Sequence, residues 1–176
     1  MKNDAFYDHL KKHLLKSTNA DRTIWASKIV EEEISLRELA DLLHCKRQIA
    51  MRFLWLLSDV GSCDSGYLLK DLPFLFELRH SIENLDIQTA FAKYWELAGI
   101  PPENEAEAID LLFGWFLSAD IKVTVKSNAL FALLNLTQKY PELKQELRVS
   151  LEHQLGKNTA NFDKRLRKVL QKLGND

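Results

Sequence analysis

Apolar side chains recur every three or four residues along almost the whole chain, and this spacing constrains the fold more than any other feature. Phe6, Leu10 and Leu14, for example, stand at i, i+4 and i+8, which places them on one face of an α-helix. The alternating pattern of a β-strand is confined to the short segment IKVTV at residues 121–125. Glycine and proline, which interrupt helices, number only six and four in 176 residues. The sequence therefore predicts an all-α protein.

Capping and helix-breaking residues divide the chain into about ten predicted helices. Ser35 and Glu38 form a capping-box pattern at the start of the third helix, and Gly61 predicts the end of the fourth. Gly99 is expected to close the sixth helix, and Pro141 suits the first turn of the ninth. The predicted helices cover about residues 4–16, 20–32, 36–44, 46–61, 66–80, 84–98, 105–120, 120–136, 141–153 and 160–173.

Two residues interrupt the pattern inside predicted helices. Pro73 is expected either in the first turn of the fifth helix or at a kink within it. Gly114 lies in the strongly apolar seventh helix, where glycine costs about 1 kcal/mol relative to alanine. We therefore predict that a neighbouring helix crosses closely at Gly114.

The segment DIKVTVKSNALFALLNL, residues 120–136, combines an acid and a base with an apolar run at fixed offsets. The pattern is carried by Asp120, Val125, Lys126, Ala129, Ala132, Leu133 and Leu136. It resembles the second helix of HEAT repeats, which are helical hairpins of about 40 residues that stack into a right-handed α-α superhelix. The resemblance implies that Asp120 and Lys126 belong to a ladder of charges that pair from repeat to repeat and set the stacking angle.

Related segments begin at residues 46, 87, 125 and 162, which lie 41, 38 and 37 residues apart. The first keeps the acid Asp41 and the base at 46 and 47, whereas the second has Gln88 in place of the base and Ile82 in place of the acid. The last keeps only the apolar positions. We therefore expect a single domain over residues 1–176, made of irregularly stacked HEAT-like hairpins, with a non-repeating helix bundle as the alternative.

Charge and cysteine content narrow the range of partners and compartments. The net charge of −1 favours neither nucleic acid nor anionic lipid. Cys45 and Cys63 follow neither CxxC nor zinc-finger spacing, which favours a reducing compartment. The N-terminal segment is too charged for a secretory leader, and no run reaches the roughly 18 apolar residues of a membrane span. We expect a cytoplasmic monomer or weak homo-oligomer without membrane contact.

No motif for catalysis, a cofactor or a metal is recognised in the chain. His9 and His13 have the i, i+4 spacing of metal ligands, but no third ligand stands at a diagnostic distance in the sequence. The whole chain is similar to a set of small bacterial HEAT-like proteins, some of which carry the name adenylosuccinate lyase. The serine-bearing glycine-rich loop of those enzymes has no counterpart here, so we predict no enzyme activity.

HEAT-like proteins usually grip a protein or peptide in the groove lined by their inner helices. The resemblance therefore implies a non-catalytic interaction or scaffold module with a protein or peptide partner. The candidate binding residues are the polar side chains of the inner helices, namely Lys46, Arg47, Gln88, Lys126 and Asn128. For Arg47 and Lys126 a purely intramolecular role is the favoured alternative.

Two other functions are considered. HEAT-like alkylpurine DNA glycosylases bring Trp, Asp and Arg together on a basic concave surface, and this chain has tryptophans at 25, 55, 95 and 115, which are expected in the core. Arg165, Lys168 and Lys172 form a possible basic strip on the last helix, although a solvated capping helix explains them better and the net charge disfavours nucleic acid. The other function is self-association through an uncapped end.

Overall fold

The computed structural model describes residues 4–82 and 85–174, and within them the chain is helical without strands. The predicted all-α class and the ten helices are confirmed for these residues. The α-helices are α1 Asp4–His13, α2 Asn19–Glu31, α3 Leu36–Leu39, α4 Arg47–Cys63, α5 Ser65–Leu78, α6 Ile87–Ala98, α7 Glu105–Leu117, α8 Val123–Lys139, α9 Leu143–Gln154 and α10 Ala160–Gly174. Short 3₁₀ turns follow α1, α3 and α5, and another precedes α7. None of the helices described is both long and apolar enough to cross a membrane.

The chain divides into two compact units, of which unit 1 is Met1–Asn104. Helix α4 is central to unit 1, because it packs against α2, α5 and α6. Its side chains Phe53 and Leu57 are fully buried, and the hydroxyl of the buried Tyr94 donates a hydrogen bond of 2.7 Å to the Leu54 carbonyl. Trp95 packs edge-on against Phe76 at a centroid distance of 5.3 Å. This aromatic core holds α4, α5 and α6 together.

Unit 2 is Glu105–Asp176 and contains α7 to α10. Helices α7 and α8 pack along each other, as do α9 and α10. Phe116 of α7 and Phe162 of α10 are both buried, with ring centroids 6.4 Å apart. At the far end of α8, Lys139 Nζ lies 2.8 Å from Glu105 Oε1, which ties the end of α8 to the start of α7. The prediction of a single domain over residues 1–176 stays a prediction.

Several helix ends differ from the predicted ones. The N-cap of α3 is Ser35, but its side chain makes no capping hydrogen bond; a complete capping box stands instead at Thr18 and Asp21, at the start of α2. Asp120 lies before α8 rather than in it, and Pro141 precedes α9. Pro73 lies inside α5 rather than in its first turn. Sequence spacing located the helices, but the hydrogen bonds at their ends depend on neighbouring segments.

The glycine that allows a close helix contact is Gly61, not Gly114. Helix α4 continues past Gly61 to Cys63, so the predicted end at Gly61 is wrong. A Cβ atom at Gly61 would lie 2.6 Å from Leu68 Cδ2 on α5, which is shorter than any ordinary contact. At Gly114 an added Cβ would meet nothing within 4 Å, so the predicted helix crossing there is also wrong.

Candidate functional site

The structure separates the predicted binding residues into two groups. In unit 1, Lys46 is the N-cap of α4, Arg47 is its first residue and Gln88 lies in the first turn of α6, and all three are exposed. In unit 2, Lys126 and Asn128 lie in the first half of α8. In unit 2, Asn128 lines a concave surface and Lys126 is its neighbour on α8.

That surface is a groove of about 340 Å³ in unit 2, which we call the α8–α10 groove. It lies between the first halves of α8 and α10. Its lining contains three hydroxyls, two amides and one guanidinium, with apolar side chains among them. The lining residues are Val123, Thr124, Ser127, Asn128, Thr159, Asn161, Phe162 and Arg165. Asn128 and Arg165, predicted from the sequence for different reasons, therefore lie in the same groove.

Arg165 is held by neutral partners. Its guanidinium donates a hydrogen bond to the Ser127 hydroxyl on α8, and its carbon lies 5.5 Å from the centroid of the Phe131 ring. Both contacts leave the positive charge without a neutralising carboxylate. The other two residues of the predicted strip, Lys168 and Lys172, are exposed on α10 and do not line the groove.

Lys126, beside the groove on α8, is buried and has only 3 % of its surface exposed. Its ammonium donates hydrogen bonds to Gln154 Oε1 at 3.1 Å and to Asn158 Oδ1 at 3.2 Å. Gln154 is itself fixed, because its amide nitrogen donates to the Leu117 carbonyl at 3.0 Å. Burial lowers the pKa of Lys126, and the positive charge of Lys157 lowers it further.

The hydrogen bonds of Lys126 differ from those of the charge ladder that the HEAT resemblance implies. Asp120 is exposed, and in the part of the chain that the structure describes it does not pair with Lys126. Lys126 instead joins α8 to the segment that connects α9 and α10. Its described hydrogen bonds are therefore intramolecular and go to amide oxygens in place of an acid, while the roles predicted for Lys126 stay predictions.

Local hydrogen bonds fix the start of α10, which forms one side of the groove. The Thr159 hydroxyl accepts a hydrogen bond from the Phe162 amide at 3.3 Å, which caps the helix. Asp163 Oδ2 accepts from the Gly156 amide at 3.0 Å, and Gly156 has a φ of 77°, a conformation that glycine adopts readily. These bonds turn the chain so that Asn161 and Arg165 face the same groove.

A second cluster of functional side chains lies in unit 1 around Trp55. The prediction that Trp55 is a core residue is wrong, because 43 % of its surface is exposed. The guanidinium carbons of Arg22 and Arg52 lie 5.5 and 4.8 Å from its ring centroid. Arg22 Nε also lies 2.9 Å from Asp59 Oδ2. We call Arg22, Arg52, Trp55 and Asp59 the Trp55 cluster.

Sequence reasoning missed most of the Trp55 cluster. The available signal was the i, i+4 spacing of Trp55 and Asp59, which places both on one face of α4. Arg22 comes from α2 and joins them only because α2 packs on α4.

The histidine pair at the N-terminus belongs to an aromatic surface. The rings of His9 and His13 lie 4.6 Å apart, and His9 meets Trp25 edge-on at 5.6 Å. Within residues 4–82 and 85–174, no group of three or more His, Cys, Asp or Glu side chains is arranged to hold a metal ion.

The chain matches no protein-family model, no curated protein and no solved structure. The HEAT-like resemblance therefore depends on the residues quoted above.

Proposed function

We propose that the protein is a non-catalytic interaction module made of stacked HEAT-like hairpins, and that the α8–α10 groove binds a protein or peptide partner. The packing of consecutive helices supports the hairpins, since α5 packs on α6, α7 on α8 and α9 on α10. Neighbouring inner helices of a stack also pack on each other, as α4 and α6 do in unit 1. The contacts within the hairpins, and the contact between α4 and α6, are of the kind that an α-α superhelix makes.

The composition of the groove carries the functional proposal. Its hydroxyl, amide and guanidinium groups can bind the backbone and polar side chains of a peptide, while Phe162 and Val123 offer apolar contacts. The lining contains serine and threonine hydroxyls, but none of the described lining residues is Asp, Glu, His or Lys, the side chains that most often act as the general base for such a hydroxyl. The described lining thus offers groups for recognition and no side chain suited to be a general base.

The proposal is tested by capturing partners from the native cell with the full chain and measuring their affinity for two matched variants. Asn128→Ala removes an amide from the groove, whereas Asn135→Ala makes the same change at an exposed position of α8 that does not line it. We expect Asn128→Ala to weaken binding about tenfold and Asn135→Ala to change it less than about twofold. Partners that bind both variants equally well would show that the groove is not the binding site.

A second candidate function, that of an alkylpurine DNA glycosylase, is favoured by the Trp55 cluster. It joins Asp and Arg side chains to an exposed tryptophan, the residue types that those enzymes bring together, and an exposed tryptophan can stack on a base. We rank it second because unit 1 has thirteen Lys and Arg against sixteen Asp and Glu in the sequence, and DNA binding needs a basic excess.

Incubation with duplex DNA containing alkylated purines separates the two functions. Release of the damaged base by the wild-type chain, lost in Asp59→Asn, would favour the glycosylase. If the chain does not bind this DNA even at low salt, the glycosylase function is excluded.

A further inference from the structure

Several cations with neutral partners lie together around the α8–α10 groove. Elsewhere in unit 2, Lys139 pairs with Glu105 and Arg148 pairs with Glu152. Near the groove, the described hydrogen-bond partners of Lys126 and Arg165 are amides and a hydroxyl. Lys157, close enough to Lys126 to repel it electrostatically, contacts the ring of His153. Three cations at one end of the unit therefore have neutral partners.

The nearest acid of α10 does not offset these charges. One oxygen of Asp163 accepts the Gly156 amide proton, and the other oxygen is buried. Asp163 is therefore turned toward its own connecting segment, and none of the described residues that line the groove is an acid. In the sequence, unit 2 has eleven Lys and Arg against nine Asp and Glu, so the unit as a whole does not cancel the local positive charge.

We propose that the groove binds an acidic peptide segment, with an Asp or Glu carboxylate of the partner against Arg165 and the Asn128 amide. This inference rests on the proposed function and adds the chemical class of the partner. A guanidinium binds a carboxylate through two parallel hydrogen bonds, and the neighbouring amide can supply a third. The groove volume, about 340 Å³, is at the small end of ligand sites and accommodates a few residues of a peptide rather than a folded domain.

The Ser127 hydroxyl, which accepts a hydrogen bond from Arg165, can be replaced by a carboxylate of the partner. Ser127 is a neutral acceptor, and a carboxylate forms a stronger hydrogen bond to a guanidinium than a hydroxyl does. An arriving carboxylate can therefore replace Ser127 as the partner of Arg165. The exposed Thr124 and Thr159 hydroxyls at the groove edge are left to bind the peptide backbone.

The test selects binders to the full chain from a random peptide display library and measures their affinities by fluorescence anisotropy. We expect selected peptides to be enriched in Asp or Glu and to bind about tenfold more weakly when those residues are changed to Asn or Gln. Arg165→Gln should weaken binding about tenfold, and Arg165→Lys should retain part of it because the charge is kept. Arg167→Gln, the same change at an exposed position of α10 outside the groove, should have less than about a twofold effect.

The outcomes separate this inference from the proposed function. Suppose that the selected peptides need Asn128 but bind equally well after their Asp and Glu residues are changed to Asn and Gln. This result would overturn the inference that the partner is acidic and leave the proposed function standing. Selected peptides that are indifferent to Asn128→Ala, or a selection that yields no binders, would overturn both. The groove could also bind inorganic phosphate or an oligonucleotide through Arg165 and bind no acidic peptide. That result would show that the anion recognised by Arg165 does not belong to a peptide. Thermal unfolding of each variant verifies that it is folded.

Discussion

Two buried cations, Arg22 in unit 1 and Lys126 in unit 2, are neutralised in different ways. Both have less than a tenth of their surface exposed. Arg22 has a carboxylate partner, Asp59, at 2.9 Å, whereas the partners of Lys126 among the described residues are the amide oxygens of Gln154 and Asn158. A buried charge with an acid partner is balanced within the fold, but one with amide partners keeps its net charge. The comparison teaches that unit 1 resolves its buried charge internally, while unit 2 leaves positive charge beside its groove.

The largest expected effect comes from removing the acid in unit 1. Asp59→Ala leaves Arg22 buried without a carboxylate. We expect the variant to lower the unfolding free energy, measured by urea denaturation, by about 2 kcal/mol. This loss is smaller than that for a fully buried ion pair because Asp59 is partly exposed. Asp71→Ala is the control, because its partner Arg37 has 57 % of its side chain exposed, and it should cost less than about 1 kcal/mol. Equal losses in the two variants would show that the burial of Arg22 is irrelevant.

Two of the helix glycines, Gly61 and Gly114, extend the comparison between the units, with expected effects of opposite sign. Gly61→Ala in unit 1 forces Leu68 to move and should destabilise the protein by about 1 kcal/mol, since overpacking exceeds the gain in helix propensity. Gly114→Ala in unit 2 meets nothing and should stabilise the protein by up to about 1 kcal/mol. Thermal or urea unfolding measures both; a loss at Gly114 would indicate a contact at that position.

The other end of unit 2 has an acid, Glu105, with charged and polar partners, in contrast to the cations with neutral partners at the groove. Burial alone would raise the pKa of Glu105, but hydrogen bonds from Lys139 and Tyr140 outweigh this effect and lower it. This stabilisation is present above the unfolded pKa of Glu105 and is lost as the pH falls through the lower folded pKa. We expect Tyr140→Phe to cost about 1 kcal/mol at neutral pH and progressively less in acid, as measured by urea unfolding across pH. A cost independent of pH down to full protonation would contradict the role of the carboxylate.

Lys126→Met removes the buried charge of unit 2 while keeping most of the side-chain volume. We expect the unfolding free energy at neutral pH to change by less than about 1 kcal/mol, far less than for Asp59→Ala, because no partner charge is left unpaired. The pKa of Lys126 is lower in the folded state, so the unfolded state binds more protons between that value and its ordinary pKa. Stability of the wild type should therefore rise relative to Lys126→Met as the pH increases through this window. A parallel pH dependence of the two proteins would contradict the lowered pKa.

The smallest expected effect concerns the acid that the HEAT pattern pairs with Lys126. Asp120 is exposed and does not contact Lys126 in the described structure, so Asp120→Ala should change stability by less than about 0.5 kcal/mol. Its effect should add to that of Lys126→Met within about 0.5 kcal/mol in a double-mutant cycle. A larger coupling energy would show that Asp120 and Lys126 interact, as the charge ladder implies.

The candidate site could be predicted from the sequence only in part. Asn128 was identified from its place in the HEAT-like pattern and Arg165 from the basic strip, but nothing in the spacing showed that they line one groove. Ser127, which holds Arg165, carries no signal beyond being polar on an apolar helix. Its role depends on α10 approaching α8, a contact between residues 38 positions apart in the chain.

The sequence by itself determined the all-α class and the positions of the helices, because helix spacing and capping act over a few neighbouring residues. Tertiary structure alone decided that Trp55 is exposed, that Gly61 rather than Gly114 meets a neighbouring helix and that Lys126 has amide partners. Each of these depends on which side chain a distant helix brings into contact, and local spacing carries no information about that choice.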